Sequence, residues 1–553
     1  MKYIFVTGGV ISGLGKGIAT SSIALLLKSA GYKVTPIKMD PYLNVDAGTM
    51  NPIEHGEVFV LDDGTETDQD LGHYERFLNE SLNEKSIATQ GSIYLSVIQR
   101  ERNLEYDGEC VDVVTYVTEE IIKRIKEAGR ASNADVVVIE VGGTTGEYQN
   151  ILFLEANRLM KLKNPSDVLH AHITYLPIPA SIGEMKSKPA QMSVRDLNAV
   201  GIQPDILLAR SEKPLDQQRI KKLSISTGLE PADIISAPDV DSIYKVPLGF
   251  DNQNLAQRLL DKLGLKRKNE DLPAGRQVMK QWKEFVDKID TAKDVVKIAI
   301  VGKYFSTGAF TLADSYISVI EAVKHAAWDQ GLKPEITWLD SGKVLDNVEV
   351  LRKFQGIIVP GGFGSRDIEG KIATIKYARE NKIPYFGLCY GMQLSVVEYA
   401  RNVLELPGAH TTEIDPATKY PVIHIMPDQE KKMLNREYGA TMRLGAWDCK
   451  LKEGTYVYKL YKDFALSTSH FPLVSERHRH RFEFNNDFLG QFMKKGLTIS
   501  GTSPDGKLVE IIELKVHPFF VGTQFHPELK SRPLSPHPLF VGFLKAASKI
   551  HIA

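Results

Sequence analysis

The sequence predicts an α/β protein of two domains. The first is a P-loop-like doubly wound parallel sheet, and the second is a further α/β sheet. Three observations lead there. A β-prone run over 3–7 enters a glycine-rich turn and then a helical segment over 18–30. The stretch 134–141 is apolar almost throughout, as a parallel strand buried on both faces requires. A new β-start over 295–302 follows a charged, Pro/Gly-broken stretch, and strands alternate with helical segments on both sides of it. A chain of 553 residues is too long for one core. The expected boundaries are 1–265 for the first domain, 266–294 for a linker and 295–553 for the second. The linker contains the charge run Lys266-Arg267-Lys268-Asn269-Glu270-Asp271 and the breaker Pro273-Ala274-Gly275.

Composition narrows the function. The net charge of −1 gives no global electrostatic case for nucleic acid or anionic membrane. Three cysteines far apart provide neither a disulfide framework nor zinc-ligand spacing, which fits a reducing, cytoplasmic setting. The N-terminus runs straight into a strand with no signal-peptide pattern. No apolar run is long enough to span a bilayer. The expectation is a cytoplasmic protein without nucleic-acid or membrane partners.

In the first domain, Gly13-Leu14-Gly15-Lys16-Gly17 lies between strand and helix. Such a turn points backbone amides, a helix N-terminus and one lysine at a polyphosphate. It departs from Walker A: Val10 stands where the first glycine belongs, and Gly17 replaces the Ser/Thr that holds metal. Metal ligands must then come from elsewhere. Glu140 ends the strongest parallel strand, where such sheets place ligand-binding groups. Asp70 ends an acidic run that, taken alone, reads as a solvated loop. A further strand over 33–39 follows Gly31. Lys186 and Lys188, two apart before Pro189 in an expected extended segment, form with Lys222 a plausible triphosphate clamp; singly they read as surface lysines.

In the second domain, a β-prone run over 383–388 meets Cys389 between Gly387 and Gly391, with a helical segment over 392–400 behind it. A strand-to-helix turn this sharp exposes a nucleophile at a helix N-terminus, where the dipole favours the thiolate. The competing reading is a buried core cysteine. His526 and Glu528, two apart on an extended segment, share one face and supply a base and its orienting carboxylate. Pro360-Gly361-Gly362-Phe363-Gly364 follows a strand over 356–359 and can turn an amide toward a tetrahedral intermediate, with the Tyr390 amide as second donor. Arg477-His478-Arg479-His480-Arg481 lacks interleaved aromatics, so a nucleic-acid footprint is disfavoured. An arginine pairing with a substrate carboxylate accounts better for Arg481.

Residues 5–17, 56–60, 70–77, 186–191 and 239–244 together resemble CTP synthases, in order and at matching separations over nearly the whole chain. The order Cys389, His526, Glu528 resembles class I glutamine amidotransferases, so the second domain is expected to be a class I glutaminase α/β domain. The resemblance implies an ATP-dependent ligase: ATP phosphorylates the uracil 4-oxygen of UTP, and ammonia from glutamine displaces the phosphate. By motif matching it implies ATP contacts at Gly13, Leu14, Gly15, Lys16, Gly17, Ile18, Lys38, Asp70 and Val240. It implies Mg²⁺ at Asp70 and Glu140. For UTP and product CTP it implies Ser12, Glu147, Tyr148, Gln149, Lys186, Ser187, Lys188, Pro189, Ala190, Gln191 and Lys222. For glutamine it implies Gly362, Tyr390, Gly391, Met392, Gln393, Glu413 and Arg481. It further implies activation by GTP, with Gly364-Ser365-Arg366 as the lever, and a homotetramer capable of filaments. Two departures stand out. Gln149 replaces a carboxylate in the segment that senses CTP, and Tyr116 stands where the family has histidine, so CTP feedback is expected to be altered. Other glutamine-using amidoligases fit less well, because their acceptors carry no triphosphate for the lysine clamp.

Overall fold

The computed structural model describes residues 1–268, 273–303, 306–307, 310–311, 313–362, 364, 367–426, 429, 441–464 and 471–551. The chain divides into two compact units, and neither is contiguous. The first joins Met1–Asp46 to Asp70–Val286, and the second joins Ala47–Gln69 to Asp287–Ala553.

In the first unit, seven described strands make an all-parallel sheet. They are β1 (Lys2–Gly8), β2 (Val34–Asp40), β3 (Ile87–Thr89), β4 (Val136–Val141), β5 (Val168–Tyr175), β6 (Ile206–Ser211) and β7 (Ile234–Pro238), in the order β3-β2-β4-β1-β5-β6-β7. All six residues of β4 are buried, as its unbroken apolar run requires. One core packs helix α1 (Lys16–Ser29) against one face through Ile23, Leu26 and Leu27; Ile121, Ile125 and Phe153 cover the other. The strand order turns back at β1 and β4. Their C-terminal ends therefore open the crevice in which such sheets bind ligands.

The second unit carries a nine-stranded mixed sheet. Its parallel half comprises β8 (Asp294–Gly302), β9 (Leu332–Asp340), β10 (Gly356–Val359), β11 (Tyr385–Leu388) and β16 (Phe520–Thr523). Its antiparallel half comprises β12 (Arg443–Leu451), β13 (Leu473–His480), β14 (Leu497–Thr502) and β15 (Val509–Leu514). The order is β9-β8-β10-β11-β16-β15-β14-β12-β13. The strand β11, which leads into Cys389, lies near the middle, paired on both sides and fully buried. Among the described residues no helix is long and apolar enough to cross a membrane.

Two stretches belong to other units than their place in sequence suggests, and hydrogen bonding gives the reason. Residues 47–69 are tied into the second unit: Asp62 accepts from Arg477 Nε at 2.7 Å, and Glu66 from Arg479 Nε at 2.7 Å. The Glu57 carboxylate accepts the Ser318 amide at 3.0 Å. The expected linker is largely a helix, Pro273–Thr291, and its Trp282 is wholly buried in the first unit. There the indole N–H donates to Tyr244 O at 2.9 Å, beside the Phe77 ring.

Candidate functional site

β1 delivers the chain into the phosphate turn, and α1 starts at Lys16 with Gly15 as its left-handed N-cap (φ 83°). Val10 also stands at φ 83°. The valine thus keeps the conformation of the glycine it replaces, although a β-branched residue there costs about 1–2 kcal/mol. A Cβ on Gly8 would stand 3.0 Å from Lys16 Cδ, so that glycine makes room for the lysine stem, whose Nζ donates to Gly143 O at 2.8 Å. Burial lowers the Lys16 pKa, and nearby Lys38 adds to the shift against Glu140, Asp70 and Asp40.

Gly17 has a specific partner. A Cβ there would fall 2.1 Å from Asp70 Oδ1, so the carboxylate occupies the space a Walker Ser/Thr would take. Asp70 sits in the first turn of α2 (Gln69–Leu78). Lys38, near the end of β2, bonds both Asp70 and Glu140, the latter at 2.9 Å, and lies 3.7 Å from Asp40. The Tyr74 hydroxyl donates to the second Glu140 oxygen. Burial raises the Glu140 pKa and the Asp70 charge raises it further; burial also pushes Asp70 up, but Lys38 holds it below the ordinary carboxylate range. Among the described residues no group of three or more His, Cys, Asp or Glu forms a protein-only metal cage. Two carboxylates beside a phosphate turn suit Mg²⁺, which completes its shell with phosphate oxygens and water.

The lysine clamp differs from expectation. Lys188, Pro189, Ala190 and Gln191 open helix α3 (Lys188–Ala199) rather than continuing an extended segment. The reason is Pro189, whose fixed φ and missing N–H suit the first helical turn. Lys186 remains outside the helix, 2.7 Å from Glu184, and the Gln191 amide donates to Ser187 Oγ at 3.1 Å. Ala190 is wholly buried. Lys222 lies in α4 (Gln217–Thr227), and its charge reaches Glu184 as well. Glu147 accepts the Thr144 amide at 3.1 Å and Gln149 Nε2 donates to Glu147 at 3.4 Å, while Tyr148 between them is 96% exposed. Ser12 and Val240 are exposed, whereas the Leu14 side chain is buried in the core.

Sequence reasoning passed over a buried chain beneath this turn. Asn157 donates to His170 Nδ1, His170 Nε2–H to Thr7 Oγ1 (2.9 Å), Thr7 O–H to His172 Nδ1 (2.8 Å), and His172 Nε2–H to Ser193 Oγ (2.6 Å). Burial depresses both imidazoles, His172 to about 3, which keeps them neutral and the direction single. A Cβ on Gly9 would fall 1.8 Å from Ser193 Oγ, so the chain links the phosphate turn to α3. The alternation His-x-His on one strand was the available signal.

In the second unit, Cys389 sits between β11 and helix α6 (Tyr390–Asn402) at φ 49°, ψ −99°. This backbone is rare for a non-glycine residue and is held by the Cys389 amide donating to Thr523 O at 2.7 Å. Gly391 permits the sharp turn, since a Cβ there would fall 2.0 Å from Val359 O. His526 Nδ1 is 2.7 Å from Glu528 Oε1. Burial lowers the His526 pKa, but Glu528 and the Cys389 sulfur outweigh it and hold the pKa well above the ordinary value. A Cβ on Gly361 would lie 2.9 Å from His526 Cε1 and 3.9 Å from Cys389 Cβ, so the glycine turn closes directly over the pair.

A cavity of about 270 Å³ gathers Cys389, His526, Glu528, Gly361, Gly362, Tyr390, Gln393, Glu413 and Arg481. Pro52, Glu57 and Val58 also line it. Of the expected glutamine contacts, Gly391 and Met392 are not among its lining; the Met392 side chain packs in the core, 3.0 Å from where a Gly522 Cβ would stand. Arg481 is braced by Gln429 (2.6 Å) and Thr441 (2.8 Å). Glu413 accepts the Gly364 amide at 2.8 Å; burial raises its pKa, and Lys303 and Lys371 pull it back. Gln524, a contact missed in the sequence, donates to Cys389 Sγ at 3.7 Å. Phe363, Ser365 and Arg366, part of the oxyanion-turn and GTP readings, lie outside the described residues.

The Arg-His repeat resolves by strand alternation. Arg477 and Arg479 reach Asp62 and Glu66, whereas His478 and His480 lie buried with Nδ1 and Nε2 3.1 Å apart. Burial, with Arg443 adding to it, drives both histidines well below their ordinary pKa and keeps them neutral.

Comparison with known proteins also divides the chain in two, although its first match runs unbroken through residues 47–69. Residues 2–265 match the family described as CTP synthase N-terminus, and residues 311–546 match glutamine amidotransferase class-I. A CTP synthase of Caldanaerobacter subterraneus subsp. tengcongensis is 49% identical over 100% of this chain and 99% of its own. Those of Pyrococcus abyssi and Bacillus subtilis are 49% and 47% identical, each over 99% of this chain and 98% of theirs. A solved Trypanosoma brucei CTPS glutaminase domain with bound acivicin is 34% identical, covers 47% of this chain and 96% of its own, and has a TM-score of 0.41.

Proposed function

The chain belongs to the CTP synthase family, the glutamine-hydrolysing ligases that convert UTP to CTP, and from that premise we propose how its residues divide the work. Cys389 attacks the glutamine carboxamide. His526 holds the thiol proton and delivers it to the departing ammonia, while Glu528 orients and stabilises the imidazolium. The amides of Tyr390 and the Gly361-Gly362 turn receive the oxyanion, and water then hydrolyses the thioester. Arg481 pairs with the substrate α-carboxylate and Glu413 with its α-ammonium group.

Ammonia passes unprotonated to the first unit, where ATP has phosphorylated the uracil 4-oxygen. Lys16 and Lys38 neutralise charge on the transferring phosphoryl group. Asp70 and Glu140 would hold Mg²⁺, which supplies charge neutralisation on the phosphate oxygens. The Gly17–Asp70 approach supports this, because it puts a carboxylate in the place of the absent hydroxyl. Lys186, Lys188 and Lys222, with the N-terminus of α3, suit the UTP triphosphate. GTP activation acting near Gly364, CTP feedback through residues 147–149, and a cytoplasmic setting complete the reading; the three free cysteines fit the last. The homotetramer that the resemblance implies belongs to the same reading, with exposed Leu104, Val113, Val114 and Ile151 as apolar surface for such an assembly.

The observation that carries the reading is the Cys389–His526–Glu528 alignment in a cavity with an acid and a base at hand for an amino acid. Its test is CTP formation from UTP, ATP and Mg²⁺, read by the ultraviolet difference between cytosine and uracil. Cys389→Ala is expected to abolish glutamine-dependent synthesis and to keep synthesis from ammonia. Loss of both activities in that variant, or glutamine use that survives it, overturns the assignment.

A further inference from the structure

Lys371 is a buried cation that the reaction above does not use. It stands in the first turns of helix α5 (Ile368–Glu380), immediately after the glycine turn that closes over Cys389. Its relative exposure is 0%, and Nζ has no hydrogen-bond partner among the described residues. What it does touch is aromatic: Nζ lies 5.3 Å from the centre of the Tyr390 ring. A lysine enclosed without a partner is expensive to keep, and packing alone would be served by methionine.

The surroundings connect this cation to the substrate cavity. The Tyr390 hydroxyl donates to Gly364 O at 3.2 Å, and Lys303 Nζ donates to the same oxygen at 3.2 Å. On the other side of that residue, the Gly364 amide donates to Glu413 at 2.8 Å. Lys371, Tyr390, Gly364 and Glu413 therefore form one continuous contact path from the back of α5 to the acidic pole of the cavity. Among the described residues, the charged groups facing Lys371 are Lys303 from the end of β8, Asp367 at the start of its own helix, and Glu413. Asp340 is engaged beyond them in capping Gly342 and Lys343. Gly370 keeps the packing tight, since a Cβ there would fall 1.7 Å from Ser341 O.

We propose that Lys371 is a positioning residue of the glutamine site: its enclosed cation beneath Tyr390 sets how strongly the Glu413 pole holds the substrate's α-ammonium group. The proposal rests on the glutaminase reading given above. When Lys371 carries its charge, it opposes the arriving ammonium and offsets the Glu413 carboxylate. When it is neutral, only Lys303 of these two lysines still offsets Glu413. Burial, with Lys303 adding to it, brings the Lys371 pKa down from the usual lysine range to about 7. Glutamine affinity then rises with pH through neutrality, while the chemistry at Cys389 keeps its own dependence.

The test is KM for glutamine in glutamine hydrolysis from about pH 6.5 to about 8.5, for the wild type, Lys371→Met and Lys371→Arg. In the wild type KM is expected to fall about fivefold across that range, the size of one charge felt at short range through protein. Lys371→Met is expected to hold the low KM throughout, and Lys371→Arg the high one. Ammonia-dependent CTP synthesis should be the same in all three. A flat wild-type KM, or a wild-type slope retained by either variant, overturns the proposal, and the first and last of these comparisons stand even if the methionine variant does not fold. Absence of any glutamine hydrolysis by the wild type would instead remove the glutaminase reading itself.

Discussion

At Cys389 the candidate nucleophile is held by backbone conformation, a φ of 49° clamped by one hydrogen bond from its amide to Thr523 O, with Gly387 and Gly391 two residues to either side. At the phosphate turn the reactive charges are held by one another, with Lys38 between Asp70 and Glu140 and Lys16 resting on Gly143 O. The first arrangement is set by the backbone itself, so the proposed acyl chemistry would draw on dipoles that the fold positions. The second is a self-neutralised cluster whose lysines and carboxylates would be reassigned if, as proposed, phosphates and Mg²⁺ compete for them. The difference follows the chemistry. Acyl transfer depends on where one sulfur atom points, whereas phosphoryl transfer depends on neutralising charge that comes with the ligand.

That contrast can be broken at three points, in falling order of effect. Glu528→Gln removes the carboxylate that holds the His526 proton, so the raised imidazolium pKa should fall back and glutamine-dependent kcat should drop about 10²–10⁴-fold. Ammonia-dependent kcat should be unchanged; an equal loss in both would mean the two centres are not separable. Gly17→Ala puts a methyl where Asp70 Oδ1 now sits. Synthesis from glutamine and from ammonia should then fall together by about tenfold or more, with a higher Mg²⁺ requirement, because a displaced carboxylate costs about 1.4 kcal/mol or more of charge stabilisation. Retention of the wild-type Mg²⁺ dependence would remove Asp70 from the metal role. Val10→Gly relieves the positive φ and should raise the melting temperature of the ligand-free protein by about 2 °C. A melting temperature that falls would show that the valine side chain contributes more than its backbone costs.

The same contrast explains what was legible in the sequence. The elbow around Cys389, the His526-x-Glu528 pair and the turn before Lys16 are local, because backbone geometry is written in neighbouring residues. The roles of Asp70 and Lys371 are not local: one depends on a missing Cβ at Gly17, the other on an aromatic ring nineteen positions away, by residue number, at Tyr390. The extended reading of Lys186 to Lys188 failed because it gave no weight to Pro189 as a first-turn residue, which opens the helix at Lys188. Arg477 and Arg479 were readable as a basic patch, but their acidic partners lie more than 400 residues earlier in the chain.

That last separation has a consequence for how the chain is made. Asp62 is synthesised 415 residues before Arg477, which on a ribosome means a wait of about 20–80 s. Through that interval residues 47–69 have been translated, while most of the unit they pack into has not. Their acidic residues, Glu54, Glu57, Asp62, Asp63, Glu66 and Asp68, keep the waiting stretch hydrated. Vectorial synthesis thus makes one part of the cavity wall, Pro52, Glu57 and Val58, first and another part, His526 and Glu528 included, last.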